Sequence, residues 1–506
     1  MSFSPNPAGG VPDAEEMRRA VAAFLANARQ PALLEPGEEL LAIGAENFHL
    51  EARPRGLCLE AWDRTRNLTR RVTAIKASAP GRLELAVERF AKREGSVYLL
   101  DLARRSGADM GRRSGRLVFR ERFRLFLRRQ FPSWTLAELS AEPNLEFSLS
   151  PVFPRALLRS GRQGWAAIAC PPEADAAALV SFGLIWLAYL RARERRVKVE
   201  GLALYVPTGA ERAPALRLLC LNPEAVRVEL FGYTEQDSVL PVDPHDHGNL
   251  DTRVEVCRRA TEPSAAWQRI AAMPGVERVV KHDGRVSLRV RGLEFAECAD
   301  GEWRFGLGIG ESQRQAASER HLAEIERLAE ELIRARSSGS DSRHHPLYRQ
   351  SPEAWLESQA RANLAALDAS LLPQPVYGQV PAFAGGERGL MDLVAADARG
   401  RLAVIELKAS ADLHLPLQAL DYWIRVKWHL DRGEFSARGY FPALTLSPEP
   451  PRLLLVAPAL EFHPTTETIL GFFDPRIAVE RIGVNEDWRS ELRVMFRLKG
   501  AESPKF

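Results

Sequence analysis

Near the C-terminus, Leu402-Ala403-Val404-Ile405-Glu406-Leu407-Lys408 sets a carboxylate and an ammonium inside an otherwise apolar run. Successive residues of a strand point to opposite sides, so Val404, Glu406 and Lys408 share one face while Ile405 and Leu407 take the other. Burying charged groups is costly unless they pair or bind a metal. A second apolar run, Leu390-Met391-Asp392-Leu393-Val394, precedes it, and Asp397-Ala398-Arg399-Gly400 joins the two. Two apolar runs about a short Gly-containing turn predict a hairpin. Asp392, near the middle of the first strand, can deliver another carboxylate to the same spot. Two carboxylates with water and a backbone carbonyl are a usual way to hold Mg²⁺, and a neighbouring lysine can polarise a nucleophilic water. Such a set suits hydrolysis of a phosphodiester.

The flanking sequence supplies elements that could position these residues. Ser351-Pro352 reads as a helix start, a capping hydroxyl followed by the residue whose missing N–H costs nothing there. Glu357 sits one and a half turns in. Strand-like Val376 to Phe383 comes next, then the hairpin. After Lys408, Asp412 is a suitable cap for a further helix that tolerates Pro416 in its first turn. On it, Leu417, Leu420, Ile424 and Trp428 form an apolar stripe, and Gln418, Tyr422, Arg425 and His429 form a polar one that can face the site. Arg425 and His429 are carried only as candidate substrate contacts, since solvated helix residues are the commoner case.

With these elements in order, residues from about 350 to 460 resemble the PD-(D/E)XK nuclease superfamily, in its repair-type branch with RecB-like or mismatch-endonuclease-like catalytic domains. The matching residues are helical Glu357, Gly389-Leu390-Met391-Asp392, Glu406-Leu407-Lys408, and Gln418 with Tyr422. The resemblance implies a restriction-endonuclease-like αβββαβ fold. It further implies that Asp392 and Glu406 bind Mg²⁺ or Mn²⁺, that Lys408 assists the water, that Glu357 is an auxiliary acid, and that Gln418 and Tyr422 help position the lysine and DNA. The chain departs from the pattern in its Gly-Leu-Met lead-in to Asp392, where many members have a proline. A lone Glu-x-Lys is common on surface strands; four elements in order are not. The competing readings are a charged hairpin in an unrelated α/β domain, and a catalytically inactive nucleic-acid-binding or scaffold subunit of a repair or defence complex. Intact Asp392, Glu406 and Lys408 favour the enzyme. No G-x-S-x-G, H-E-x-x-H or P-loop pattern offers another chemistry.

The rest of the chain reads as an α/β (α+β) multidomain protein. Its 506 residues suggest about three domains, and apolar and charged fractions of 45% and 27% argue against disorder. Residues 1–103 read as a tail and a small β-rich domain, in which Leu83, Leu85 and Val87 alternate with polar residues. Residues 104–214 read as an α/β domain with strand-like Trp134 to Leu139, Phe147 to Phe153 and Trp165 to Cys170. Their α-β-β-β-α-β order makes them a candidate degenerate copy of the nuclease-like fold, with Trp165 to Cys170 standing where Leu402 to Lys408 stands but lacking its charges. A β-rich domain follows over 215–310, then a charged helix and linker over 311–342, with Ser337-Ser338-Gly339-Ser340-Asp341-Ser342 as the clearest break, and the nuclease-like domain over 343–506.

A net charge of +3 says little about a polyanionic partner. Locally, ten arginines between Arg104 and Gln130 oppose only Asp109 and Glu121, and Arg116, Arg120, Arg124 and Arg128 recur every fourth residue along one helix face. That stripe is a candidate phosphate contact, with a solvated face equally open. Five scattered cysteines, never in a C-x-x-C pair, suggest free thiols. His245-Asp246-His247 and His344-His345 lack a third ligand at a useful spacing. The glycines of Gly306-Leu307-Gly308-Ile309-Gly310 do not open a helix in the dinucleotide-binding pattern. The polar, Pro-rich start is unlike a secretory signal, and Ala176 to Leu190 is better read as a buried helix than as a membrane span. The expectation is a cytoplasmic protein with DNA as its partner and no membrane, with protein partners or a homodimer left open.

Overall fold

The computed structural model describes residues 14–29, 31–35, 41–44, 47–53, 56–62, 67–89, 93–101, 109–247, 252–260, 263–307, 314–337, 343–378, 380, 382–383 and 393–502. The protein is mixed α/β with several sheets, and its contacts divide it into two compact units. One comprises Met1–Ala174, Arg196–Lys198 and Tyr233–Leu240; the other comprises Asp175–Arg195, Val199–Gly232 and Pro241–Phe506. The division therefore runs through the 104–214 stretch.

In the first unit, a seven-stranded antiparallel sheet runs from Leu41–Ala42 at one edge to Phe48–Arg53 at the other. Leu83, Leu85 and Val87 point into its core with Leu57, Leu59, Val97 and Leu99, against Met17 and Val21 of the helix Ala14–Asn27. The helix Asp109–Gln130 buries Phe119, Phe123, Phe126 and Leu127. Beyond it, Thr135–Ser140, Arg155–Ser160 and Gln163–Ala169 pair antiparallel. The strand expected over Phe147 to Phe153 is instead a turn region with one bridge between Asn144 and Leu149, and pairing resumes only at Arg155. Pro151 and Pro154 lack the N–H groups that a ladder needs.

In the second unit, Asp175 caps the helix Ala176–Arg193 by accepting from the Ala177 N–H, and ten of its 18 residues are buried. An antiparallel five-stranded sheet over Glu277–Val280, Val286–Val290, Leu293–Ala299, Glu302–Phe305 and Gln315–Ala317 packs on the helices Ala265–Ala271 and Leu322–Ala335. Its second hairpin turns at Arg291 and Gly292, both at positive φ, the conformation of a tight two-residue turn.

The elements of the C-terminal region are numbered from its start: α1 (Pro352–Ala362), β1 (Tyr377–Gly378), β2 (Leu393–Ala396), β3 (Leu402–Leu407), α2 (Leu415–Asp431), β4 (Arg452–Pro458), β5 (Val479–Val484) and β6 (Val494–Lys499). They form a six-stranded sheet in sequential order, with β3, β4 and β5 parallel and the remaining pairs antiparallel. The β2–β3 turn follows from its residues. Asp397 Oδ1 accepts the N–H groups of Arg399 and Arg401 at 2.9 and 3.0 Å. Gly400 has φ 82°, and a Cβ there would lie 2.0 Å from the Thr445 carbonyl oxygen, so only glycine fits.

Ala403, Ile405 and Leu407 enter one apolar cluster with Trp355, Leu356 and Ala360 of α1. Helix α2 packs on β3 and β4 without joining that cluster, and so covers the other face. The single strand expected over Val376 to Phe383 is two short ones. Tyr377–Gly378 pairs with β2, and Ala382–Phe383 pairs with Thr252–Arg253. Pro381, which has no N–H to donate, stands between them in the sequence.

Candidate functional site

Since Ile405 and Leu407 point toward α1, Glu406 points to the opposite face. The residue is 3% exposed, surrounded by strands whose other residues are almost all apolar. Oε1 lies 3.7 Å from Lys408 Nζ, while Oε2 is buried and has no hydrogen-bond partner among the described residues. A buried carboxylate oxygen left in this state is costly.

Lys408 is one residue past β3 but still in register, its N–H donating to the Val456 carbonyl at 3.0 Å. Its Nζ also lies 3.4 Å from Asp412 Oδ2, so the ammonium is held between two carboxylates. Asp412 in turn accepts the His414 N–H at 2.8 Å. The site stands where the parallel strands β3 and β4 end and α2 begins, the end of an α/β sheet where ligands commonly bind.

Two histidines adjoin it. His414 Nδ1 is 3.3 Å from Ser181 Oγ, and its ring meets Phe182 edge-on at 5.5 Å. His463 Nδ1 is 2.7 Å from Thr465 Oγ1. Burial lowers the pKa of both imidazoles, with Asp412 acting in the opposite sense on each. Sequence reasoning treats Asp412 only as a helix cap and does not single out either histidine. The one local signal is the four-residue spacing from Lys408 to Asp412.

The other expected residues are distributed differently. Asp392 lies outside the described residues; Leu393, which follows it, is the ladder partner of Ile405. Glu357 is buried in α1, on the side of the sheet away from Glu406. Its Oε1 accepts from Arg361 Nε at 3.0 Å and its Oε2 lies 3.5 Å from Arg289. No described contact joins it to Glu406 or Lys408. Gln418 is exposed in the first turn of α2. Tyr422, four residues on, is buried, and its hydroxyl accepts the Val380 N–H at 3.0 Å while donating to the Val380 carbonyl. It clamps the backbone between the two short strands.

Arg425 donates to the Asp421 carbonyl at 2.8 Å. His429, expected as a solvated residue or a substrate contact, is instead 2% exposed, with Nε2 3.0 Å from Thr252 Oγ1 and Nδ1 against Glu434. Its place on the buried side of α2 makes it part of the packing. In the helix Asp109–Gln130, Arg120 and Arg124 reach the two oxygens of buried Glu121 at 2.7 and 3.2 Å. Arg116 is half-buried and Arg128 exposed. His245 and His247 lie in one turn of 3₁₀ helix, Pro244–His247. Among the described residues no group of three His, Cys, Asp or Glu side chains is arranged to hold a metal ion.

No protein family and no curated protein matches the chain. Among solved structures, one described as "Structure of EndoMS in apo form" is similar, with 17% identity over 40% of this chain and 90% of that one, at a TM-score of 0.14. A likeness so slight carries no argument about fold or chemistry.

Proposed function

We propose that the C-terminal region is a nuclease-like αβββαβ domain that hydrolyses phosphodiester bonds in DNA with the help of a divalent cation, Mg²⁺ or Mn²⁺. The observation that carries this reading is the Glu406 carboxylate, buried beside Lys408 with one oxygen unpartnered. Hard oxygen donors of this kind suit Mg²⁺ or Mn²⁺. Glu406 and Asp392 are the residues that would hold the cation. Bound there, it supplies neutralisation of the charge that grows on the phosphate oxygens.

The remaining work falls to the chain's own groups. Lys408, restrained by Glu406 and Asp412, orients the attacking water, and its positive charge favours the hydroxide form. Tyr422 keeps the Val380 backbone in place. Gln418, exposed at the start of α2, is available to DNA, and Glu357 acts as a supporting residue from the other side of the sheet.

The test is a cleavage assay on plasmid, linear and single-stranded DNA, each with Mn²⁺, with Mg²⁺ and after exhaustive EDTA treatment. Cleavage that needs the cation is expected. Binding of DNA without cleavage of any substrate would return the domain to the scaffold reading, and cleavage that survives EDTA would remove the metal from the mechanism.

A further inference from the structure

A second cluster of charged side chains lies at the N-terminal turn of α1, and the proposed chemistry makes no use of it. Three guanidiniums gather about one buried indole: Arg291, Arg336 and Arg489 lie 5.1, 4.7 and 5.6 Å from the centre of the Trp355 ring. Arg489 also stacks on Trp488 at 4.2 Å and on Tyr348 at 5.4 Å. Cation–π contact explains how the rings tolerate one cation. It does not balance three.

Among the described residues none of the three arginines has an ion-pair partner. Arg336 is fully buried and donates to the carbonyls of Leu347, Gln350 and Arg291 at 2.6, 2.8 and 2.9 Å, leaving Nε without a partner. Arg291 donates to the Arg336 carbonyl. Arg489 has a buried, unpartnered Nε, and Trp355, itself fully buried, has an unpartnered Nε1. Burial pushes all three guanidiniums below their ordinary range. Arg336 falls to about 10, with Arg489 and Arg291 adding to the burial effect. Two carboxylates adjoin the cluster: Glu277, which accepts the Arg291 backbone N–H and which burial pushes toward its neutral form, and Glu353, in the first turn of α1, which acts on Arg489 without pairing with it.

The backbone contributes to the same spot. No side chain caps the start of α1, where Ser351 is held at φ 46°. The turn carrying Arg291 is pressed against that start so closely that a Cβ on Gly292 would lie 1.9 Å from the Ala354 carbonyl oxygen. An open helix N-terminus presents N–H groups and the positive end of the helix dipole. Like charges brought together in a low-dielectric setting repel strongly, and an anion with several acceptor oxygens relieves this while satisfying the free donors.

We propose that Arg291, Arg336 and Arg489, with the first turn of α1, form a binding site for a phosphate group. Arg291 and Arg489 are half-buried and Arg336 is fully buried, so the first two are the ones a ligand meets from solvent. The site is independent of Glu406 and Lys408. Its phosphate can belong to a nucleic-acid backbone or to a free phosphate ion, because the recognising chemistry is the same.

Thermal melting of the full-length protein tests this, with inorganic phosphate titrated against sodium chloride at matched ionic strength. A ligand that binds only the folded state raises the melting temperature with its concentration, so phosphate is expected to stabilise where chloride does not. In R291Q/R489Q the half-saturating phosphate concentration is expected to rise on the order of tenfold or more. R489K, which keeps the charge but loses the fork, should also bind more weakly. Equal effects of phosphate and chloride on the wild-type protein overturn the proposal even if the variants fail to fold, as does wild-type phosphate binding in R291Q/R489Q. Competition by a short DNA duplex assigns the site to a nucleic-acid phosphate; its failure to compete assigns it to free phosphate. Neither result bears on cleavage, so this site and the nuclease reading can fail separately.

Discussion

Among the described residues of the C-terminal region two glutamates are buried, one on each side of the same sheet. Glu357, in α1, has Arg361 and Arg289 against its two oxygens. Glu406, in β3, has a lysine at the outer limit of an ion pair and one oxygen with no partner. The two are 4% and 3% exposed, so desolvation does not separate them. What separates them is compensation. A carboxylate already matched by two guanidiniums gains little from another cation, whereas one in a dry setting that is matched on one oxygen only favours a further cation at the other. On the proposed reading, the contrast gives Glu357 a structural part and Glu406 a ligand part, although the two residue types are identical.

The largest effect expected from this contrast is on cleavage. Glu406→Gln preserves shape and removes the charge, and should lower metal-dependent cleavage on the order of a thousandfold, because several kcal/mol of charge stabilisation depends on it. Asp392→Ala should act likewise. Both variants should still bind DNA, and more tightly in the absence of metal, since a carboxylate near the phosphate has been removed. Full cleavage by Glu406→Gln would break the contrast at its centre. Lys408→Ala is expected to cost on the order of a hundredfold in rate, in the range of a single group acting in the transition state. Metal affinity, measured by titrating Mn²⁺ against activity, should change little.

Glu357→Gln should invert the pattern. It leaves Arg289 and Arg361, whose side chains are 16% and 19% exposed, facing a neutral amide. A loss of about 2 kcal/mol in stability is expected by denaturant unfolding, with cleavage by the folded protein changed by only a few-fold. A rate loss matching that of Glu406→Gln, at unchanged stability, would instead make Glu357 part of the chemistry.

The same contrast shows why some of the site is legible in the sequence. Glu406 and Lys408 stand out because charge interrupts an apolar run at a strict two-residue period, and a strand converts that period directly into one face. The hairpin is legible for a similarly local reason, the Asp397 to Gly400 turn chemistry. Glu357 and Arg289, by contrast, are 68 residues apart in the chain, and no local pattern announces that one neutralises the other. His414 and His463 flank Asp412 only because parallel β3 and β4 end at the same edge of the sheet. His429 misleads for the reverse reason: its neighbours on α2 suggest a wet stripe, and the partner that buries it, Thr252, comes from a distant strand.

The smallest expected effect concerns the arginine stripe of the helix Asp109–Gln130, where the logic of compensation applies again. An arginine that contacts DNA phosphate releases about one counterion, so removing two such contacts should reduce the salt dependence of binding by about two units of slope. Arg120 and Arg124 already share the buried carboxylate of Glu121, whose side chain is 1% exposed. Reaching a phosphate would require them to leave it, stranding a charge in the interior. Arg120→Gln with Arg124→Gln should therefore lower the melting temperature while changing the slope by less than about one unit. A loss of about two units would show that both guanidiniums exchange Glu121 for phosphate on binding, and that a matched charge in this protein is not always a structural one.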